Sequence, residues 1–123
     1  RIAREKFSVS PEREKAFDMV RQFYVLVDNH FKEKKMVQDY ADMLHRSPKT
    51  LSNLFTTCGL PSPLRIIHER IEAEAKRLLL YSQKSAKEIT EILGFEDQAT
   101  FSRFFKKMTG ESVSEYRKRE KRE

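Results

Sequence analysis

The sequence predicts an all-α fold of seven helices, and three observations support this. Apolar residues recur at steps of three and four along most of the 123 residues, and no stretch alternates as a strand would. Glycines and prolines stand at the boundaries of these periodic runs, where helices stop and start. The chain is 38% hydrophobic and 36% charged, a balance that suits small helices with a wide solvated surface better than a thick sheet-based core.

Three helices are predicted in the first half of the chain. The first opens at Ser10-Pro11, where serine can cap and proline fits the first turn, and it runs to about Lys32. A short helix follows from about Val37 to His45, and the third runs from Ser47-Pro48 to near Gly59. The residues predicted to face inward are Phe17, Val20, Tyr24, Val27, Phe31, Val37, Tyr40, Ala41, Leu44, Leu51, Leu54 and Phe55.

Four helices are predicted in the second half. A helix of about 20 residues opens at Ser62-Pro63 and ends near Ser82. Capping boxes at 85–88 and 112–115 open two further helices, and Asp97 caps the helix between them. The long helix is expected to turn Leu64, Ile67, Ile71, Ala75 and Leu78 inward and to leave Glu72, Glu74, Lys76 and Arg77 in solvent. The helices after it are expected to bury Ile89, Ile92, Leu93, Phe101, Phe104, Phe105 and Met108.

The chain contains an internal repeat of a helix, a tight turn and a second helix. Leu51-Ser52-Asn53-Leu54-Phe55 resembles Phe101-Ser102-Arg103-Phe104-Phe105, and each copy has a small residue, Ala41 or Thr90, where its two helices would cross. This pattern is typical of the helix-turn-helix motif. We therefore expect two such units, at about 37–59 and 85–110, joined by a linker helix at about 63–82 within a domain of residues 11–120.

The second helix of each unit combines an apolar inner face with a polar, short-chained outer face, as a helix that enters the DNA major groove requires. Base reading is expected from Lys49, Thr50, Ser52, Asn53, Gln98, Ala99, Ser102 and Arg103. Phosphate contact is expected from Ser47, Lys106 and Lys107. For any one of these residues taken alone, an ordinary solvated helix position is the favoured interpretation. The two outer faces together favour double-stranded DNA as the partner.

Charge and composition limit the other classes of function. The net charge of +6 favours a polyanionic partner but does not distinguish DNA from RNA or an acidic membrane surface. The single cysteine, Cys58, is expected to be a small buried residue, and it excludes an internal disulfide, which suits a cytoplasmic protein. The histidines have no partners at metal-ligand spacing, so no metal or cofactor is predicted. No apolar run of about 20 residues predicts a membrane span.

Two alternatives to DNA binding remain at this point. A helical protein–protein interaction module with a basic surface would also fit the helices and the charge. An enzyme is not expected, because the sequence offers no nucleophile–base pair, no paired carboxylates and no phosphate-cradling glycine loop.

The stretch from Ser85 to Arg117 carries Ile89, Gly94-Phe95, Phe101-Ser102-Arg103, Phe105-Lys106-Lys107, Gly110 and Tyr116-Arg117. In this it closely resembles the second helix-turn-helix of the AraC/XylS family of transcription regulators, and residues 37–82 resemble the first unit and its linker helix. The resemblance implies sequence-specific DNA binding and transcription regulation, by activation or repression, through contact with RNA polymerase. It also implies a separate N-terminal sensor or dimerisation domain, with residues 1–10 as the linker from it. Thr56-Thr57 stand where the second unit has Lys106-Lys107, so the first unit is expected to hold phosphate more weakly.

Overall fold

The computed structural model describes residues 10–121, and this part of the chain forms seven α-helices and no strand. The all-α prediction is therefore confirmed. The helices are α1 (Pro11–His30), α2 (Val37–Leu44), α3 (Pro48–Thr57), α4 (Pro63–Tyr81), α5 (Ala86–Ile92), α6 (Gln98–Thr109) and α7 (Val113–Lys121). Apart from Ser10, the predicted linker at 1–10 lies outside the described residues. None of the described helices is both long enough and apolar enough to cross a bilayer.

Two helix starts carry the full capping boxes that the sequence predicts. The Ser85 hydroxyl accepts the Glu88 amide at 3.1 Å, and the Glu88 carboxylate accepts the Ser85 amide at 2.8 Å. Ser112 and Glu115 repeat this exchange at 3.1 and 2.8 Å. Because these bonds join residues only three positions apart, the helix starts are visible in the sequence itself.

The contacts between residues divide the chain into two compact units. Among the described residues, unit 1 comprises 10–29 and 36–67, and unit 2 comprises 30–35 and 68–121. Unit 1 contains the helix-turn-helix α2–α3, and unit 2 contains the helix-turn-helix α5–α6. The long helix α4 begins in unit 1 and continues in unit 2.

The core of unit 1 is built around Phe23, which is fully buried. Its ring lies 5.5 Å from that of Tyr40 and 5.0 Å, edge-on, from that of Phe55. The sequence predicts Tyr24 at this place, and that prediction is wrong, because Tyr24 is 38% exposed. The buried stripe of α1 runs through Ala16, Val20, Phe23 and Val27. The buried stripe keeps Val20 and Val27 of the prediction and replaces Phe17 and Tyr24 by their neighbours Ala16 and Phe23, while the amphipathic tyrosine tolerates the half-exposed position.

The core of unit 2 is aromatic. Phe101 and Phe105 on α6 are fully buried, and Phe105 meets Tyr116 of α7 edge-on at 5.4 Å. Phe104, expected inside, is only half-buried, and its ring meets the edge of His68 at 5.2 Å. The aromatic residues therefore hold one face of α6 against the core, and the opposite face does not take part in core packing.

Helix α4 buries most of the predicted face, but Glu72 and Lys76, expected in solvent, are half-buried, and two positions differ more strongly from the sequence prediction. Leu64 is 43% exposed, because Ile66 takes the inward place in that turn. Glu74, expected in solvent, is only 8% exposed. Arg77 compensates this burial by donating two hydrogen bonds of 2.9 and 2.6 Å to the carboxylate, and this pairing lowers the pKa of Glu74 even though burial opposes it.

The segment 30–35 follows α1 in the chain and packs within unit 2. The sequence extends α1 to Lys32, but the helix ends at His30, whose carbonyl accepts the turn hydrogen bonds that follow. Phe31 is buried, and the guanidinium of Arg70 on α4 lies 4.3 Å from the centroid of its ring. A cation over an aromatic face and the burial of that ring together hold the segment on unit 2.

Candidate nucleic-acid interface

The turn of the first unit is tight and uses a non-glycine residue at a left-handed position. His45 has φ 58° and ψ 42°, and its amide donates to the Asp42 carbonyl at 3.2 Å. The Arg46 amide reaches the Ala41 carbonyl at 2.9 Å. Ser47 then caps α3 by accepting the Thr50 amide at 3.1 Å. Two residues therefore separate the end of α2 from the cap of α3.

The turn of the second unit uses the same hydrogen bonds with a glycine at the left-handed position. Gly94 has φ +79°, and its amide donates to the Glu91 carbonyl at 3.1 Å. The Phe95 amide donates to the Thr90 carbonyl at 3.1 Å. Thr90 is buried at the crossing of the two helices, where the sequence predicts a small residue, and its hydroxyl donates to its own helix at the Ala86 carbonyl.

Helix α3 presents the outer face that the sequence predicts. Leu51 and Phe55 are buried, whereas the predicted reading residues Lys49, Ser52 and Asn53 are exposed. Thr50 is half-buried, and its hydroxyl lies 2.9 Å from that of the exposed Ser47. The hydroxyls of Thr56 and Thr57 donate to the Ser52 and Asn53 carbonyls at 3.0 and 2.9 Å, so both are engaged within the helix. Cys58, predicted as buried, is half-buried where α3 ends.

Helix α6 presents the second predicted face. Gln98, Ala99 and Arg103 are exposed, and Ser102 is half-buried. Lys106 and Lys107 are exposed in the last turn, where cations also favour the negative end of the helix dipole. The charge of Lys107 adds to burial in lowering the pKa of His68.

A short chain of hydrogen bonds runs along the outer side of α6. The Arg103 guanidinium donates to the Thr100 hydroxyl at 3.4 Å, and the Asp97 carboxylate accepts the Thr100 amide at 2.7 Å. The Thr100 amide, and after it the Thr100 hydroxyl, lower the pKa of Asp97. Sequence reasoning did not single out Thr100. Its signal is the spacing of three residues to both the cap and the arginine.

Charge is distributed unequally between the two units. Counted over the sequence, residues 1–29 and 36–67 carry nine Lys and Arg against seven Asp and Glu, whereas residues 30–35 and 68–123 carry sixteen against twelve. Counted together with the residues just before each of them, the second helices of the two units, α3 and α6, do not follow this difference in net charge. Near its start α3 has the exposed cations Arg46 and Lys49, and α6 has Glu96 and Asp97 at its start and three cations further along: Arg103, Lys106 and Lys107. Arg46 was not among the residues predicted from sequence, although an exposed cation beside a helix cap is a readable signal.

Other chemistry is sparse in the part of the chain that the structure describes. No group of three His, Cys, Asp or Glu side chains could hold a metal ion there. His45 is exposed, and His30 and His68 are half-buried. The exposed polar faces of α3 and α6 are therefore the features that define the site.

Two helix-turn-helix units, each with a polar helix face fixed by a buried apolar face behind it, define a DNA-binding domain of the helix-turn-helix class. A family model described as a helix-turn-helix domain matches residues 40–119. The chain belongs to this family, the AraC/XylS type of transcription regulators.

Similar proteins of known sequence are regulators of this type. The arabinose operon regulatory protein of Salmonella typhimurium is 36% identical over 92 residues, which cover 75% of this chain and 31% of that protein. The uncharacterized HTH-type transcriptional regulator YisR of Bacillus subtilis is 30% identical over 118 residues, covering 95% of this chain and 40% of that protein. The chain thus spans less than half the length of these two relatives.

Solved structures share the fold. The C-terminal domain of AraT, a response regulator from Geobacillus stearothermophilus, superposes with a TM-score of 0.73 at 29% identity, covering 81% of this chain and 84% of that one. The DNA-binding domain of AdpA, solved with a target DNA, superposes with a TM-score of 0.64 at 23% identity, covering 83% and 88%.

Proposed function

We propose that this chain binds double-stranded DNA sequence-specifically through α3 and α6 and is the DNA-binding part of a transcription regulator. The observation that carries the proposal is the pair of outer faces. Each of these helices has a buried face that packs in the core, formed by Leu51 and Phe55 on α3 and by Phe101 and Phe105 on α6. The exposed side chains lie on the opposite face and take no part in that packing. Core packing therefore does not fix the identity of these exposed residues, and a polar face that combines short side chains with Lys49 and Arg103 fits a major groove.

Within these faces, each side chain suits a particular contact. Arg103 has the fork geometry for a guanine edge, and Gln98, at the start of α6, suits an adenine. Lys49 and Asn53 have the equivalent roles on α3. The short side chains Thr50, Ser52, Ala99 and Ser102 let the helices approach the bases. Ser47, Lys106 and Lys107 contact phosphate and set the register.

The length of α4 supports two sub-sites within one binding site. Its 19 residues extend over about 28 Å at 1.5 Å per residue. Successive major-groove faces on one side of B-DNA lie about 34 Å apart. We propose that α4 sets the separation of the two recognition helices, so that the two sub-sites lie about 10 base pairs apart.

The relatives suggest the setting of the whole protein. They are named as transcription regulators and exceed this chain in length. We propose that the complete protein carries an N-terminal sensor or dimerisation domain, contacts RNA polymerase and acts in the cytoplasm. One relative, AdaA of Bacillus subtilis, is named as a bifunctional transcriptional activator and DNA repair enzyme, at 28% identity over 107 residues. For this chain we propose binding without catalysis, because the matched residues 40–119 are those of the helix-turn-helix domain.

The test begins with selection of bound sites from random DNA. Arg103→Ala should weaken binding to the selected duplex by roughly 1–3 kcal/mol and affect random DNA much less, because non-specific binding depends mainly on phosphate contacts. Arg21→Ala is the matched control: it removes the same charge from an exposed position on α1, outside both helix-turn-helix units. All affinities are measured at one salt concentration, with helicity checked.

Three outcomes would count against the proposal or a part of it. Equal losses on selected and random DNA for Arg103→Ala would mean that this residue touches only phosphate. A selected site without two sub-sites would remove the proposed role of α4. A chain that enriches no sequence and shows no salt-dependent affinity for DNA would instead favour the protein–protein interaction module.

A further inference from the structure

The side chain of Lys35 ends among three backbone carbonyls of unit 2. Its ammonium donates to Leu93 at 2.6 Å, to Lys32 at 2.8 Å and to Phe31 at 3.3 Å. It also lies 5.1 Å from the ring centroid of Phe95. An ammonium has three donors, and here each has an acceptor. The group is half-buried, and burial lowers the pKa of Lys35 against the opposing charge of Glu33.

These contacts fall on the turn of the second helix-turn-helix. Leu93 caps the C-terminal end of α5, and its carbonyl, being past the helix, needs a partner from elsewhere. Phe95, two residues on, packs at 5.4 Å against both Phe101 and Phe104 of α6. Lys35 thus contacts the turn at Leu93 and Phe95, and Phe95 in turn packs against α6.

The position of Lys35 in the chain makes this contact unexpected. It lies before both helix-turn-helix units and outside residues 40–119, which the family model matches. The bond to Leu93 joins residues 58 positions apart. In the turn of the first unit, Arg46 donates to the adjacent His45 carbonyl at 3.1 Å.

We propose that Lys35 is a positioning residue for the second recognition helix: its ammonium ties the turn at Leu93–Phe95 to the segment 30–35, and DNA reading by α6 depends on this tie. The inference rests on the proposed function of α6. Without the ammonium, the carbonyls of Leu93 and Lys32 face a half-buried space with no donor, which is unfavourable. The turn then opens part of the time, and the apparent affinity falls with the fraction of molecules in which α6 is correctly placed.

The test compares Lys35→Met with Lys34→Met in the full chain. Methionine keeps the unbranched side chain and removes the charge, and the exposed neighbour Lys34 controls for the loss of one positive charge. Three duplexes are used: the selected site, the same site with the α3 sub-site scrambled, and the same site with the α6 sub-site scrambled. We expect Lys35→Met to bind the first two about tenfold more weakly than Lys34→Met does, the size of one lost hydrogen bond to a charged group. On the third duplex the two variants should bind alike.

A chemical rescue separates the ammonium from general damage. In a Cys58→Ser background, Lys35→Cys is alkylated with bromoethylamine, which restores an amine at nearly the length of lysine. This treatment should recover affinity for the α6 sub-site, whereas alkylation with a neutral reagent of similar size should not. Hydrogen exchange gives a readout without DNA: the amides of Gly94 and Phe95 should exchange faster in Lys35→Met, and those of His45 and Arg46 should not change.

Each result decides the matter. Equal losses on all three duplexes, no difference between Lys35→Met and Lys34→Met, or failure of the amine to rescue would overturn the positioning role. If the unmodified chain prefers no DNA sequence, the proposed function fails, and the exchange data alone then decide whether Lys35 holds the turn. Unchanged exchange at Gly94 and Phe95 would in that case overturn it.

Discussion

Of the three glycines, Gly94 is the one at which a side chain would collide with neighbouring atoms. A Cβ built there would lie 1.9 Å from the Lys32 carbonyl oxygen and 3.0 Å from the Lys35 ammonium nitrogen. The residue also has φ +79°, a conformation that L-residues other than glycine rarely adopt. Gly94→Ala therefore meets two obstacles at once, one in the backbone and one in the packing.

Gly59 and Gly110 separate these two obstacles. Both have positive φ, +70° and +85°, but a Cβ at either would meet nothing within 4 Å. For them, the strain of the left-handed conformation, about 1–2 kcal/mol, is partly offset by the reduced entropy of the unfolded chain, about 0.4–1 kcal/mol. We expect Gly59→Ala and Gly110→Ala to lower the free energy of unfolding by about 1 kcal/mol.

Gly94→Ala should be clearly worse. The oxygen must retreat by more than 1 Å before the contact reaches 3.0 Å, and the obstacle is backbone, which moves only with the segment 30–35. Overpacking of this kind costs about 1–3 kcal/mol beyond the strain. The difference between Gly94→Ala and Gly110→Ala should therefore be about 1–3 kcal/mol.

Urea denaturation followed by circular dichroism measures this difference. If the two units unfold in separate steps, only the step that belongs to unit 2 should shift for Gly94→Ala. Equal destabilisation by Gly94→Ala and Gly110→Ala would refute the reasoning, because it would mean that the segment 30–35 yields without loss. The folded fraction of each variant before denaturation serves as the check that the comparison is between native proteins.

Three further predictions concern charge and packing. Lys107→Ala should weaken binding to all DNA sequences alike and reduce the slope of log affinity against log salt by about one; an altered sequence preference at an unchanged slope would contradict its phosphate role. Hydrogen bonds from Thr100 lower the pKa of Asp97 in the folded state, so its contribution to stability is present above the unfolded value near 3.9 and is lost as the pH falls through the folded value. Asp97→Asn keeps an acceptor at the cap but does not titrate, so its melting temperature should fall less between pH 5 and pH 3 than that of the unmodified chain. An equal fall of the melting temperature in both proteins would exclude this contribution of Asp97. Phe55→Ala and Phe105→Ala remove fully buried rings from units 1 and 2, and each should lower the free energy of unfolding by about 3–5 kcal/mol, with a loss below 1 kcal/mol indicating that the cavity closes.

The helices could be predicted from the sequence because their signals are local. Capping bonds such as that from the Ser85 amide to the Glu88 carboxylate span three residues, and the apolar spacing within a helix spans four. The exposed faces of α3 and α6 followed from the same spacing, with Thr50 and Ser102 less exposed than expected. The contacts that these faces make with DNA remain predictions.

What the sequence could not provide depends on distant partners. The choice between Phe23 and Tyr24 as the inward residue of α1 is decided by Tyr40 and Phe55, which lie on other helices. Arg77 is only three positions from Glu74, so their pairing is local, but the burial of Glu74 depends on how α4 packs against the rest of the unit. Packing between helices carries no local periodicity, so only the folded arrangement reveals it.

The unequal charge of the two units has a consequence for the order of events when the protein meets DNA. Counted over the sequence, residues 1–29 and 36–67 carry two excess positive charges, whereas residues 30–35 and 68–123 carry four. Electrostatic attraction raises the rate of encounter with a polyanion, while the dissociation rate depends more on short-range contacts. We therefore expect unit 2 to capture the duplex first and unit 1 to engage during the residence time that follows. Added salt should then slow capture more than it shortens the lifetime of the fully engaged complex.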